Sequence, residues 1–182
     1  MSSFARLKHI TDYERVCYYS VCIGDDPDTL DEQESLFESF LKIQGAKQKR
    51  KVVHITNWLK EIGESYGARE HYFRPEQHHG EASGLPPKGA DRQPTYTEDG
   101  KNVPNNLRLY CYRLNESVVI LFSGAVKTAN KALDCPHVKP HFKLANRLTR
   151  AIDTAMKEKE ILWIDNFSDI YFEDTFFMEL HD

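Results

Sequence analysis

Apolar and polar positions change period several times along the chain, and each change marks an expected element. Arg15–Ile23 (RVCYYSVCI) is rich in β-branched and aromatic residues and runs into Gly24-Asp25-Asp26-Pro27, so a first strand ending in a turn is expected. Thr29 and Glu32 have capping-box spacing; Leu36, Phe37, Phe40 and Leu41 follow at helical intervals, and Gly45 suits a stop. Val52, Ile55, Leu59, Ile62 and Tyr66 repeat at three- and four-residue steps, with Trp58 beside them, and predict a second helix with one buried stripe. Glu70–Glu76 reads as a short extended segment. Gln77–Asn105 has glycines and prolines and almost no apolar residues, and is expected to be a long loop.

A hairpin should follow. Leu107–Leu114 alternates, Asn115-Glu116 can turn, and Ser117–Ser123 is a nearly unbroken apolar run, as in a strand covered on both faces. Gly124 permits a bend before Ala125–Thr128. In Val138–Lys157, His141, Ala145, Leu148, Ile152 and Ala155 form one helical stripe, while Lys139, Lys143, Arg147 and Arg150 form a basic one. The tail, from Ile161, mixes strand-forming aromatics with acids. A C-terminal strand packed on the same domain is expected there, giving a domain over 1–160 and an extension over 161–182.

Charge alters this picture in two places. The net charge is −4, yet the tail acids Asp165, Asp169, Glu173, Asp174, Glu179 and Asp182 meet no Lys or Arg, so the body is mildly basic. Lys47, Lys49, Arg50 and Lys51 crowd the start of the second helix, either as a solvated turn or as a contact for phosphate or an acidic partner. With 182 residues, 40% hydrophobic and 29% charged, the chain has the composition of one soluble domain, and no apolar run is long enough to cross a bilayer. The cytosol is the expected compartment, with Cys17, Cys22, Cys111 and Cys135 as free thiols. Cys135, His137 and His141 give Cys-x-His-x₃-His, and His78-His79 lie in the long loop; without a paired Cys-x₂-Cys, no metal or other cofactor is expected.

The hairpin carries a resemblance. Leu107-Arg108-Leu109-Tyr110-Cys111-Tyr112-Arg113, Val118–Phe122 and Gly124-Ala125-Val126-Lys127-Thr128 resemble the HigB-type, phage-derived killer pattern of the RelE/ParE toxin superfamily. Tyr72-Phe73-Arg74-Pro75-Glu76 is similar to a segment of uncharacterised bacterial relatives. The resemblance, over roughly Arg15–Lys157, implies an α+β fold: an antiparallel sheet with an N-terminal helical pair packed on it and a C-terminal helix, RelE-like, here with an acidic extension. It implies a toxin-like endoribonuclease that cleaves messenger RNA, in the ribosome in many members, and is silenced by an antitoxin protein.

By residue, the resemblance makes Arg108 and Lys127 candidate phosphate ligands and Arg74, in the segment entering the sheet, a further catalytic candidate. His71, one step from Tyr72, is the candidate for proton transfer. Tyr110 and Tyr112 share a face with Arg108 by alternation and are candidates for base stacking; Lys139, Lys143, Arg147 and Arg150 add a basic surface. The stretch nearest the family's Gly-Leu-φ-Glu-Leu-Arg is Gly84-Leu85-Pro86-Pro87-Lys88, which has no arginine. That departure, with the acidic balance and the extra tail, leaves a second reading: a non-catalytic interaction module that binds a protein partner.

Overall fold

In a computed structural model, which describes residues 2–75 and 82–181, the chain folds around a seven-stranded mixed sheet. Its strands are β1 (Ser3–Asp12), β2 (Cys17–Gly24), β3 (Arg74–Pro75), β4 (Ser83–Leu85), β7 (Leu107–Arg113), β8 (Val118–Val126) and β11 (Met178–Leu180), in the order β11-β1-β2-β8-β7-β4-β3. Two small hairpins, β5 (Thr97–Glu98) with β6 (Lys101–Asn102) and β9 (Leu162–Ile164) with β10 (Asp169–Tyr171), stand outside it. Helices α1 (Leu36–Lys47) and α2 (Lys49–Glu61) cover one face of the sheet, and α3 (Lys139–Lys157) covers the other.

Strand β8 explains this layering. Val118, Ile120 and Phe122 pack with Phe142, Leu148 and Ile152 of α3, whereas Val119 and Leu121 pack with Phe37, Ile55 and Leu59 of the helical pair. Both faces are buried, so the strand is apolar throughout.

The expectation of a RelE-like antiparallel sheet bearing a helical pair is overturned. β2 pairs with β8 in parallel, Cys17 to Val118, so the sheet is mixed, and it has helices on both faces. β1 carries little hydrophobic signal because only Ala5 and Leu7 are buried in it, alternating with Arg6 and Lys8. The long loop is also more ordered than its composition indicates: it contains β4, which pairs with β7, and the β5–β6 hairpin. Helix α1 starts six residues later than a Thr29 cap would give, with Ser35 as its cap. Ser35 accepts from the Glu38 amide at 3.1 Å while Glu38 accepts from the Ser35 amide at 3.2 Å, and Gly45 lies inside the helix. The tail closes the sheet at its far edge, where Met178 pairs with Ala5. Among the described residues, no helix is long and apolar enough to cross a membrane.

Candidate phosphate-binding cleft

The start of β7 is built by one buried asparagine. The Asn105 carboxamide accepts from the Leu107 amide at 2.9 Å and donates to the Lys51 carbonyl at 3.0 Å. It also donates to His54 Nδ1 at 3.0 Å, and the opposite ring nitrogen, Nε2, then donates to the Pro94 carbonyl at 3.0 Å. This two-sided bonding fixes a neutral imidazole, and burial lowers the His54 pKa, only partly opposed by the Pro94 contact. Lys51 Nζ donates to Asn106 Oδ1 at 2.8 Å, and Arg50 donates to the Thr97 carbonyl at 2.5 Å while lying over the Tyr96 ring. Arg50 and Lys51, from the basic run, thus pin the loop and β7 onto α2.

Next to that anchor, Arg108 is buried and donates through Nη1 to the Asn105 and Leu107 carbonyls at 2.7 and 3.1 Å. β8 passes so close that a Cβ on Gly124 would stand 1.7 Å from the Arg108 carbonyl oxygen, so only glycine fits. Beyond Gly124, the Lys127 amide donates to the Asn106 carbonyl at 2.8 Å and brings the end of β8 alongside the start of β7. From the edge strand, Arg74 Nε donates to the Pro86 carbonyl at 2.6 Å, which holds the Pro86–Lys88 turn against β3.

The outcome is a cleft of about 360 Å³ lined by Arg74, Lys88, Arg108 and Lys127 together with Thr128 and Asn130, with no carboxylate among its described lining residues. Three of the catalytic candidates, Arg74, Arg108 and Lys127, therefore meet in one place. Lys88, the fourth cation, was missed. It ends the Gly84–Lys88 stretch, and only the pairing of β4 with β7 carries it there.

The remaining candidates are dispersed. His71 is exposed and lines an adjoining cleft of about 640 Å³, which shares Arg74 and Lys88 with the first. Tyr110 and Tyr112 do not form a stacking surface beside Arg108. Tyr110 is fully buried against Phe142 of α3, their ring centroids 5.3 Å apart. The Tyr112 hydroxyl donates to Asp153, and burial with that carboxylate pushes the phenol well up. Alternation along β7 holds, with Leu107, Leu109 and Cys111 facing the helical pair and Tyr110 and Tyr112 facing α3, so the face that the tyrosines share is covered by that helix. Lys139 and Lys143 are exposed on α3. Arg147 and Arg150 line a separate hollow against the tail, where Arg147 Nε donates to the His181 carbonyl at 3.1 Å.

Cys135 and the two histidines near it do other work. The Cys135 sulfur accepts from the Thr128 amide and approaches the Thr128 hydroxyl, both at 3.4 Å, tying a lining residue of the cleft to the segment that leads into α3. Burial opposes ionisation, but these contacts and the amides of Val138 and His137 outweigh it and bring the thiol down to about 6. His141 Nδ1 lies 2.8 Å from Ser123 Oγ in a groove of about 660 Å³ between α1 and α3, with His137 at its margin. No carboxylate among the described residues lines that groove to orient the imidazole, so a serine–histidine hydrolase reading lacks its third member. His78 and His79 lie outside the described residues.

The chain matches no family model, no curated protein and no solved structure at a significant level.

Proposed function

We propose that this protein binds RNA through the Arg74–Lys88–Arg108–Lys127 cleft and cleaves it by transesterification, as a toxin-like endoribonuclease. One observation supports this above all. Four cations from four separate chain segments converge on one concavity in a chain of net charge −4. A concentration of positive charge against the overall balance suits a polyanion.

In the proposed reaction the ribose 2′-oxygen attacks the adjacent phosphorus while the bond to the 5′-oxygen breaks, leaving a 2′,3′-cyclic phosphate and a free 5′-hydroxyl. The two guanidinium forks and two ammonium groups stabilise the charge that builds on the phosphorane oxygens. His71, across the shared wall formed by Arg74 and Lys88, is the residue assigned to proton transfer. The hairpin resemblance supports messenger RNA as substrate, on or off the ribosome, with an antitoxin protein as the silencing partner.

Incubation of a labelled RNA with the protein, alone and with translating ribosomes, tests the reading. Cyclic-phosphate ends are expected, with no cut where the 2′-hydroxyl is replaced by hydrogen. Binding without cleavage in both settings would favour the non-catalytic module. The exposed position of His71 outside the cation cleft is the observation on that side.

A further inference from the structure

The larger cleft has a wall that phosphate chemistry leaves unexplained. Behind it, Trp58, Tyr66 and Tyr72 form an aromatic layer: Tyr66 and Tyr72 stack at 5.0 Å between centroids, and Trp58 lies 5.7 Å from Tyr72. Two residues lie over this layer and line the cleft, Arg92 and His71. The Arg92 guanidinium carbon is 5.1 Å from the Tyr72 centroid and 5.8 Å from that of Trp58. Its Nη1 donates to the His71 and Lys88 carbonyls at 3.4 and 3.3 Å, which fixes the plane of the fork. The His71 ring lies 4.1 Å from Tyr72, tilted by 39°.

A guanidinium backed by aromatic rings, with an imidazole next to it, is a surface for stacking a planar ring. Arg113 and Glu70, paired at 3.7 Å, stand at the same cleft and can bond the edges of such a ring. The shared residues Arg74 and Lys88 make this cleft continuous with the cation cleft, so a ligand whose phosphate sits in one reaches the other.

The geometry points to a nucleobase subsite: the larger cleft holds one unpaired base of the bound strand, stacked on Arg92 and His71. The RNA partner would then be single-stranded, because a base in a duplex has no free face to offer. Arg92 would act as a binding residue that distinguishes a base-bearing strand from a bare ribose-phosphate chain. This inference rests on the RNA-binding reading above.

The test compares an oligoadenylate decamer with a decamer of the same backbone carrying abasic spacers. Wild type should bind the base-bearing strand about fivefold tighter or more. Arg92→Lys keeps the charge and removes the plane, so it should lose most of that preference while holding the abasic strand unchanged. His71→Ala, at an exposed position, should lose part of it with no effect on folding. Lys127→Ala should weaken both strands equally. Arg92→Lys and His71→Ala proteins that keep the full preference would overturn the base subsite and leave RNA binding standing. Failure of wild type to bind either strand would overturn both.

Discussion

At the scale of single residues, the cleft depends on close packing as much as on charge. Gly124→Ala would force its methyl group onto the Arg108 carbonyl, 1.7 Å away, and must displace β7 or β8. A loss of about 1–3 kcal/mol, at the upper end for so close an approach, is expected in urea unfolding, the usual cost of overpacking. Lys88 is different: its side chain is exposed, so Lys88→Ala should leave the melting temperature within about a degree of wild type while weakening RNA binding. The contrast between Arg108 and Tyr110 shows what one-residue reasoning could reach. Both were legible as strand residues, and the arginine was legible as a phosphate ligand through the resemblance. Alternation rightly put Tyr110 and Tyr112 on one face, but which face α3 covers leaves no mark in an alternating sequence.

At the scale of elements, α2, α3 and the β7–β8 hairpin were readable because each repeats its own period and packs locally. β4 was not: three residues, two of them Ser83 and Gly84, carry no pattern, and the strand forms only because β7 is beside it. Lys88 and Arg92 were invisible for the same reason, since both reach the site through that non-local pairing. The α2–β7 joint also has a pH dependence. His54, held neutral between Asn105 and Pro94, and His141, beside Ser123, both have pKa values lowered by burial. The unfolded chain therefore binds more protons below about pH 6.5, the ordinary imidazole value. Their contribution to stability is complete above that pH and is lost as pH falls through the lowered folded-state values. The melting temperature should drop between pH 7.5 and 5.5, and drop less in the double variant His54→Gln/His141→Gln.

At the scale of the molecule, charge is separated across the sheet. The tail strand β11 lies four strand positions from β7, which carries Arg108, about 19 Å at ordinary strand spacing. The β9–β10 hairpin sits against Cys17 and Asn115, beyond the end of β7 opposite Arg108 and about 20 Å from it along the strand. Both distances exceed the screening length of about 8 Å at physiological salt, so the tail acids neither neutralise nor guard the cation cleft. Asp165→Asn/Asp174→Asn should therefore change RNA affinity less than twofold at 0.15 M salt. Deleting 161–182 removes the buried Ile161, Ile170, Met178 and Leu180 and uncovers the β1 edge, so instability, not tighter binding, is the expected result. The sign of the overall charge was legible in the sequence. The edge on which each charge falls depends on the sheet order.

The most direct measurement is the salt dependence of single-stranded RNA binding by wild type and by Lys88→Ala/Lys127→Ala. If both ammonium groups meet phosphates, the slope of log affinity against log salt should flatten by about 1.4 in the double variant, with affinity lowered across the whole salt range. An unchanged slope, or no RNA binding by wild type, would contradict the assignment of the cleft.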